Sequence, residues 1–200
     1  SVVNENISIS KSDWDSYEVS WQVLTHPLVS NICNSHQGDV ETIENYVVNT
    51  GVISEAYKSW CRQCEMRFFA LQKNEEILNR IFLGIYGLQD ELSSEVADKN
   101  VTVHRIFETK DDVPESMQGS NYVRTKRDEI AFLISYAVGC MFGRYSLDME
   151  GLAYAGGEWD ASRYSTIIPD KDNIIPICDD DYFDDDITGR FVKWVEAVYG

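Results

Sequence analysis

The 200-residue chain is 44% hydrophobic and 26% charged, which gives it enough length for a core and too much apolar content for wholesale disorder. It has no run of about 18 apolar residues that could cross a membrane, and its start, SVVNENISISKSDWD, lacks the basic-then-apolar pattern of a secretion signal. Seventeen basic against 34 acidic side chains leave a net charge of −17, and a body of this charge repels phosphate backbones. The excess is uneven: one basic against seven acidic residues in 1–50 and four against eleven in 151–200, but six against eight in each middle quarter. Five cysteines, an odd number, predict reduced thiols in a cytoplasmic setting rather than a disulfide framework.

In chain order, Tyr17, Val19, Trp21 and Val23 alternate with more polar neighbours, the period of a half-buried strand that His26-Pro27 ends. GDVETIENYVVNTG, residues 38–51, reads as a short helix with Asp39 as N-cap and Gly51 beyond its end. The clearest element is a helix over about 54–86. Tyr57, Trp60, Cys64, Phe68, Leu71, Glu75, Leu78, Phe82 and Ile85 recur at spacings of three and four, and only Glu75 breaks the apolar stripe. Ser54 is a candidate cap at its start and Gly87 at its end. Such a rod is about 50 Å long, the size of one arm of a helical hairpin or bundle.

Thr102 and His104 suggest a short strand within NVTVHRIFE, followed by an exposed polar loop. A second helix, about 122–142, carries the apolar centre IAFLISYAVGCMF and is expected to be the most buried. Gly139 and Gly143 lie four apart on one face, a spacing that suits close helix packing or termination. NIIPI reads as extended, and a last helix starts near Asp185 or Asp186, where the dipole favours acids. The expected fold is mainly α, or α+β with minor short strands: a long helical arm packed with a buried helix and a C-terminal helix. The domain reading is a single domain over 1–200, or a fragment of a longer chain. It comprises a helical arm at 40–90, an exposed loop at 107–120, and a buried-helix and glycine/aromatic region at 121–200. The helical pattern is still running at Gly200, which points to a longer parent.

Few residues carry recognisable chemistry. Cys33-x2-His36 and Cys61-x2-Cys64 together offer four soft ligands in pairs, the outline of a zinc set. Cys64, however, sits on the apolar stripe and equally reads as a small core residue. The acids Asp179–Asp181 and Asp184–Asp186 do not fit an EF-hand loop and read first as a solvated helix cap. No phosphate-binding loop, dinucleotide fingerprint or nucleophile elbow occurs, and only His26, His36 and His104 are available as bases. Arg124, Lys126 and Arg127 open a helix against its dipole, so they call for a partner: phosphate, an acidic patch, or Asp128 and Glu129 beside them.

Four segments carry a family resemblance. NEEILNRIFLGIYGLQDEL (Asn74–Leu92) resembles the helix-plus-YGL segment near the target-recognition region of many adenine-modifying restriction-modification proteins. ISYAVGCMFGRYSLDMEGLAYAGGEWD (Ile134–Asp160), DNIIPICDDDYFDDDITGRFVKWV (Asp172–Val195) and WQVLTHPLV resemble a narrower group. This is the PglX family, the adenine-specific DNA methyltransferases of BREX phage-defence systems. The resemblance implies a parent that uses S-adenosylmethionine and works with DNA and other phage-defence proteins. The [NDS]-P-P-[YF] motif that holds the target base in such enzymes is missing, since no two of Pro27, Pro114, Pro169 and Pro176 are adjacent. The glycine-containing cofactor motif is missing too. No catalytic or cofactor residue is therefore carried over, and the chain reads as a helical or target-recognition region C-terminal to the catalytic core.

On that reading the chain positions the core on DNA or docks partner proteins, with Arg124, Lys126, Arg127 and Arg144 as candidate contacts. The alternative is an acidic DNA mimic or protein-binding module with no methyltransferase link. Against it, mimics spread their carboxylates, whereas here they bunch at the two ends. An independent enzyme lacks any supporting motif.

Overall fold

A computed structural model describes residues 1–32, 40–43, 46–179 and 185–200. Helix α3, Thr50–Tyr86, organises the chain. Its 37 residues make a rod about 55 Å long, and the expected apolar stripe supplies Trp60, Cys64, Phe68 and Leu71 to the interior. The helix begins four residues before Ser54, which is exposed within its first turns rather than capping it. Gly87 ends it at φ +69°, where a left-handed residue is needed and glycine carries no Cβ penalty.

Around α3 the remaining elements follow in order. Helix α1, Val2–Trp14, packs on α3 and was not legible in the sequence. Residues 17–23 form successive turns rather than the expected strand: Tyr17 and Val23 are buried, while Val19 and Trp21 face solvent. A four-residue helix, α2 (Pro27–Ser30), is capped by His26, whose Nδ1 accepts from the Leu28 N–H at 3.1 Å. The expected helix over 38–51 is instead an antiparallel pair, β1 (Val40–Ile43) and β2 (Tyr46–Asn49), with Val40 opposite Asn49. Val40, Thr42, Ile43, Val47 and Val48 are β-branched and favour a pleated backbone over a helical one. Asp39 lies outside the described residues, and Gly51 lies inside α3.

Strand β3 (Arg105–Phe107) pairs in parallel with β4 (Val123–Thr125), three residues each. The strand begins just after the Thr102–His104 alternation. Between the two strands, 3-10 turns at 110–112 and 115–117 fold Met117 fully into the interior. Helix α4, Lys126–Met141, starts later than expected because Thr125 and Asp128 form a reciprocal capping box. Seven of its 16 residues are buried, Glu129 among them, but Ile130 and Ile134 stay exposed on its outer face. NIIPI carries no regular element or strand pairing, and its first residue, Asn173, turns the chain at φ +60°. Helix α5, Ile187–Tyr199, is capped as expected by Asp186, whose Oδ1 accepts from the Gly189 N–H at 2.7 Å. The fold is mainly α with minor strands.

Two interior clusters result. The larger gathers Tyr17, Val23, Trp60, Cys64, Tyr136, Tyr145 and Trp194 from α3, α4, α5 and the turns. The smaller gathers Phe68, Leu71, Val101, Val103 and Met117. Asp13 ties α1 to that second cluster, because its carboxylate accepts from the His104 N–H at 3.1 Å and lies 2.7 Å from His104 Nδ1.

Candidate functional site

The glycine-rich stretch after α4 builds one corner of the molecule. Gly139 lies where an added Cβ would stand 2.6 Å from Tyr145 Cδ2, so the chain can fold back against the helix only over a bare backbone. Tyr145 is fully buried there and stacks on Tyr136 with centroids 4.7 Å apart. Gly143 makes the turn itself at φ +77°, and its carbonyl accepts from the Tyr164 hydroxyl at 2.6 Å. Both glycines thus serve packing and termination.

Beyond the turn, Asp148 fastens the loop. Its two oxygens accept from the backbone N–H and the hydroxyl of both Ser165 and Thr166, at 2.6–2.9 Å. These donors stabilise the ionised form and hold the Asp148 carboxyl well below the usual carboxylate range, overcoming its modest burial. A second tie joins the corner to the turns of 17–24: the Gly151 N–H donates to the Leu24 carbonyl. That tie brings Trp21 beside Phe142, Arg144, Leu152 and Tyr154 around a cavity of about 330 Å³. Gly156 and Gly157, at φ +109° and +92°, have no neighbour within 4 Å of an added Cβ.

The four basic candidates are scattered. Arg124 donates to Glu129, which is fully buried and also accepts from Trp60 Nε1 at 2.9 Å; the guanidinium lies 4.2 Å over the Tyr17 ring. Burying this charge is tolerable because both Glu129 oxygens are bonded and a cation is beside it. Lys126 pairs with Glu108 at 2.6 Å. Arg127 is exposed and Arg144 lies in the aromatic corner, neither within ion-pair reach of a carboxylate among the described residues. The Glu129–Trp60 bond spans 69 residues, and Arg124 looked like an open cation because no local pattern announces that bond.

Cys33 and His36 lie outside the described residues, as do Asp180, Asp181 and Asp184. Cys64 is a core residue, and burial pushes both its thiol and that of Cys61 up, which disfavours thiolates. Among the described residues no three His, Cys, Asp or Glu side chains converge to hold a metal. Asp185 pairs with Arg190 at 2.7 Å. Burial pushes His26 down to about 3, assisted by Arg124, so its imidazole is neutral across the physiological range. Among the described residues the parallel strands β3 and β4 lead into no glycine turn.

No described helix is long and apolar enough to cross a membrane. No family model matches the chain. It is similar, at 44% identity over 196 residues, to an adenine-specific methyltransferase PglX of Lacticaseibacillus casei (strain Zhang). It is also similar, at 32% over 202 residues, to an adenine-specific methyltransferase BrxX of Escherichia coli O9:H4 (strain HS). Each match takes in 97% of this chain but only 14% and 15% of the relative's length. The chain is therefore related, along nearly all its length, to one segment of the PglX and BrxX adenine-specific methyltransferases.

Proposed function

We propose that the chain is a non-catalytic helical region of an adenine-specific DNA methyltransferase in a phage-defence system. There it positions the catalytic part on DNA by docking against protein, either other segments of the same polypeptide or partners of the defence system. The observation that carries this reading is the far end of α3. Ile81, Phe82, Ile85 and Tyr86 are 51–71% exposed, and Leu92 just beyond is 57% exposed. A contiguous apolar end of this kind marks an interaction surface, and the matched relatives are about seven times longer than the segment they share with this chain. Its basic candidates support the same emphasis, since Arg124 and Lys126 are taken up by Glu129 and Glu108. Arg127 and Arg144 remain as the proposed contacts to phosphate. S-adenosylmethionine belongs, on this reading, to the part of the parent outside this segment.

The test is Phe82→Gln with Ile85→Gln in the full-length protein, reading adenine methylation of host DNA. Each side chain, once covered, is worth about 1.5–3 kcal/mol, so a loss of about tenfold or more is expected. Unchanged methylation overturns the docking role. Labelled S-adenosylmethionine should not bind the 200-residue chain alone, and measurable binding would contradict the assignment of the cofactor site elsewhere.

A further inference from the structure

We infer that the corner formed by Trp21, Phe142, Arg144 and Tyr154 is a stacking site for one unpaired base of a nucleic acid strand, with Arg144 taking the adjoining phosphate. The inference rests on the reading of the chain as part of a DNA-modifying protein, and it deepens that reading by naming the kind of nucleotide that Arg144 would meet.

Three observations converge. Trp21 lines the cavity and is 83% exposed, although Tyr17 and Val23 on either side of it in the same run of turns are buried. A large ring kept out of a nearby core is available to a ligand. Phe142 and Tyr154 line the same cavity, so three aromatic side chains border it. Its volume of about 330 Å³ is at the small end of ligand sites. Arg144 is the only charged residue lining it, and no carboxylate among the described residues neutralises it. Its guanidinium lies 5.4 Å over the neighbouring Tyr145 ring, and Glu18 nearby accepts from the Ser135 hydroxyl at 2.7 Å. Aromatic faces with one planar cation match a base and its phosphate, because every base has a π face and a guanidinium both stacks and pairs with phosphate.

The corner also restricts what can enter. A base in a duplex has both faces covered by its neighbours, so only an unpaired or extruded nucleotide offers a face to Trp21. The body charge of −17 opposes a long phosphate track. Binding is therefore dominated by stacking and only weakly dependent on salt. A proline-rich peptide also docks on aromatic faces, but its neutral carbonyls bring no anion to the cation in the cavity.

The experiment uses the 200-residue chain and three probes of about 12 units each: oligo-dT, an abasic strand of equal length, and a proline-rich peptide. Tryptophan quenching and a separation-based assay read binding. Oligo-dT should bind with a slope of log affinity against log salt of about −1 or shallower, as for one phosphate contact. The abasic strand and Trp21→Ala should each weaken binding about tenfold. Arg144→Gln should weaken it less and flatten the salt slope. Both side chains lie outside the core, so unchanged thermal unfolding controls for folding. No binding of oligo-dT, equal binding of the abasic strand, indifference to Trp21→Ala, or capture of the peptide instead would each overturn the site. Any of these outcomes leaves the docking role standing, because that role is read from methylation after changes at Phe82 and Ile85.

Discussion

From Ala56 to Leu71, α3 presents Ala56, Trp60, Cys64, Phe68 and Leu71, each at most 2% exposed. From Ile81 to Tyr86 the same helix presents Ile81, Phe82, Ile85 and Tyr86 at 51–71%. The first set meets α1, the 101–103 segment and the α4 region, which between them close both interior clusters. Alongside the second set the 88–96 return offers polar ties such as Asn79 Nδ2 donating to the Ser94 carbonyl. Periodicity identifies which face of a helix is apolar. Whether that face is covered depends on what the rest of the polypeptide brings to it.

The comparison is broken most directly at Trp60. Trp60→Ala removes a fully buried ring and also strips Glu129 of one of its donors. A loss of about 3–5 kcal/mol is expected from the cavity alone, read as a lower midpoint in urea unfolding. A loss under about 1 kcal/mol would make the inner half of α3 no more of a core than its end.

A smaller effect sharpens the reading of the glycine corner. In an open helix, Gly→Ala gains up to about 1 kcal/mol. At Gly139 the new methyl meets the Tyr145 ring, which cannot retreat because it is stacked on Tyr136. Gly139→Ala should therefore cost about 1–3 kcal/mol. Stabilisation by this change would show that α4 and the returning chain are not in contact.

How much of this was readable in advance divides the same way. The arm, the apolar helix and the Asp186-capped final helix were legible because each has a local cause: a 3.6-residue period, a glycine stop or an acidic cap. The helix expected over 38–51 was wrong because Asp39 and Gly51 resembled caps while Val40, Thr42, Ile43, Val47 and Val48 between them are β-branched. The Tyr17–Val23 alternation had the period of a strand, yet the chain turns there and sends Trp21 outward. The candidate site was the least legible feature. Trp21 and Arg144 lie far apart in sequence, and no local pattern announces the tie between Gly151 and Leu24 beside which they meet.

Acidification separates buried from exposed polar groups. His26 is held near 3, below the ordinary imidazole value, so between about pH 6.5 and 3 the unfolded chain binds a proton that the folded chain does not. Stability then falls as pH drops through that window, by up to about 1.4 kcal/mol per unit. The Asp148 carboxyl, held low, adds a separate loss only below the ordinary carboxylate range. His26→Asn keeps an acceptor for the Leu28 N–H while removing the titration. Its unfolding free energy should be lower overall, but its slope between pH 6.5 and 4.5 should be shallower than in the parent chain. An unchanged slope would remove His26 as its source.

The smallest expected effect is at the far end of α3, and its smallness is what makes it informative. Phe82→Gln with Ile85→Gln replaces side chains that water already reaches over more than half their surface. Glutamine is a good helix former, and its neutral amide leaves the helix dipole undisturbed. In the 200-residue chain the pair should change stability by no more than about 0.5 kcal/mol. A loss near that of Trp60→Ala would mean the end is covered, for instance by self-association, and concentration-dependent unfolding would then reveal it. With a near-zero result, any loss of methylation in the full-length protein reports a contact made outside this chain rather than a damaged fold.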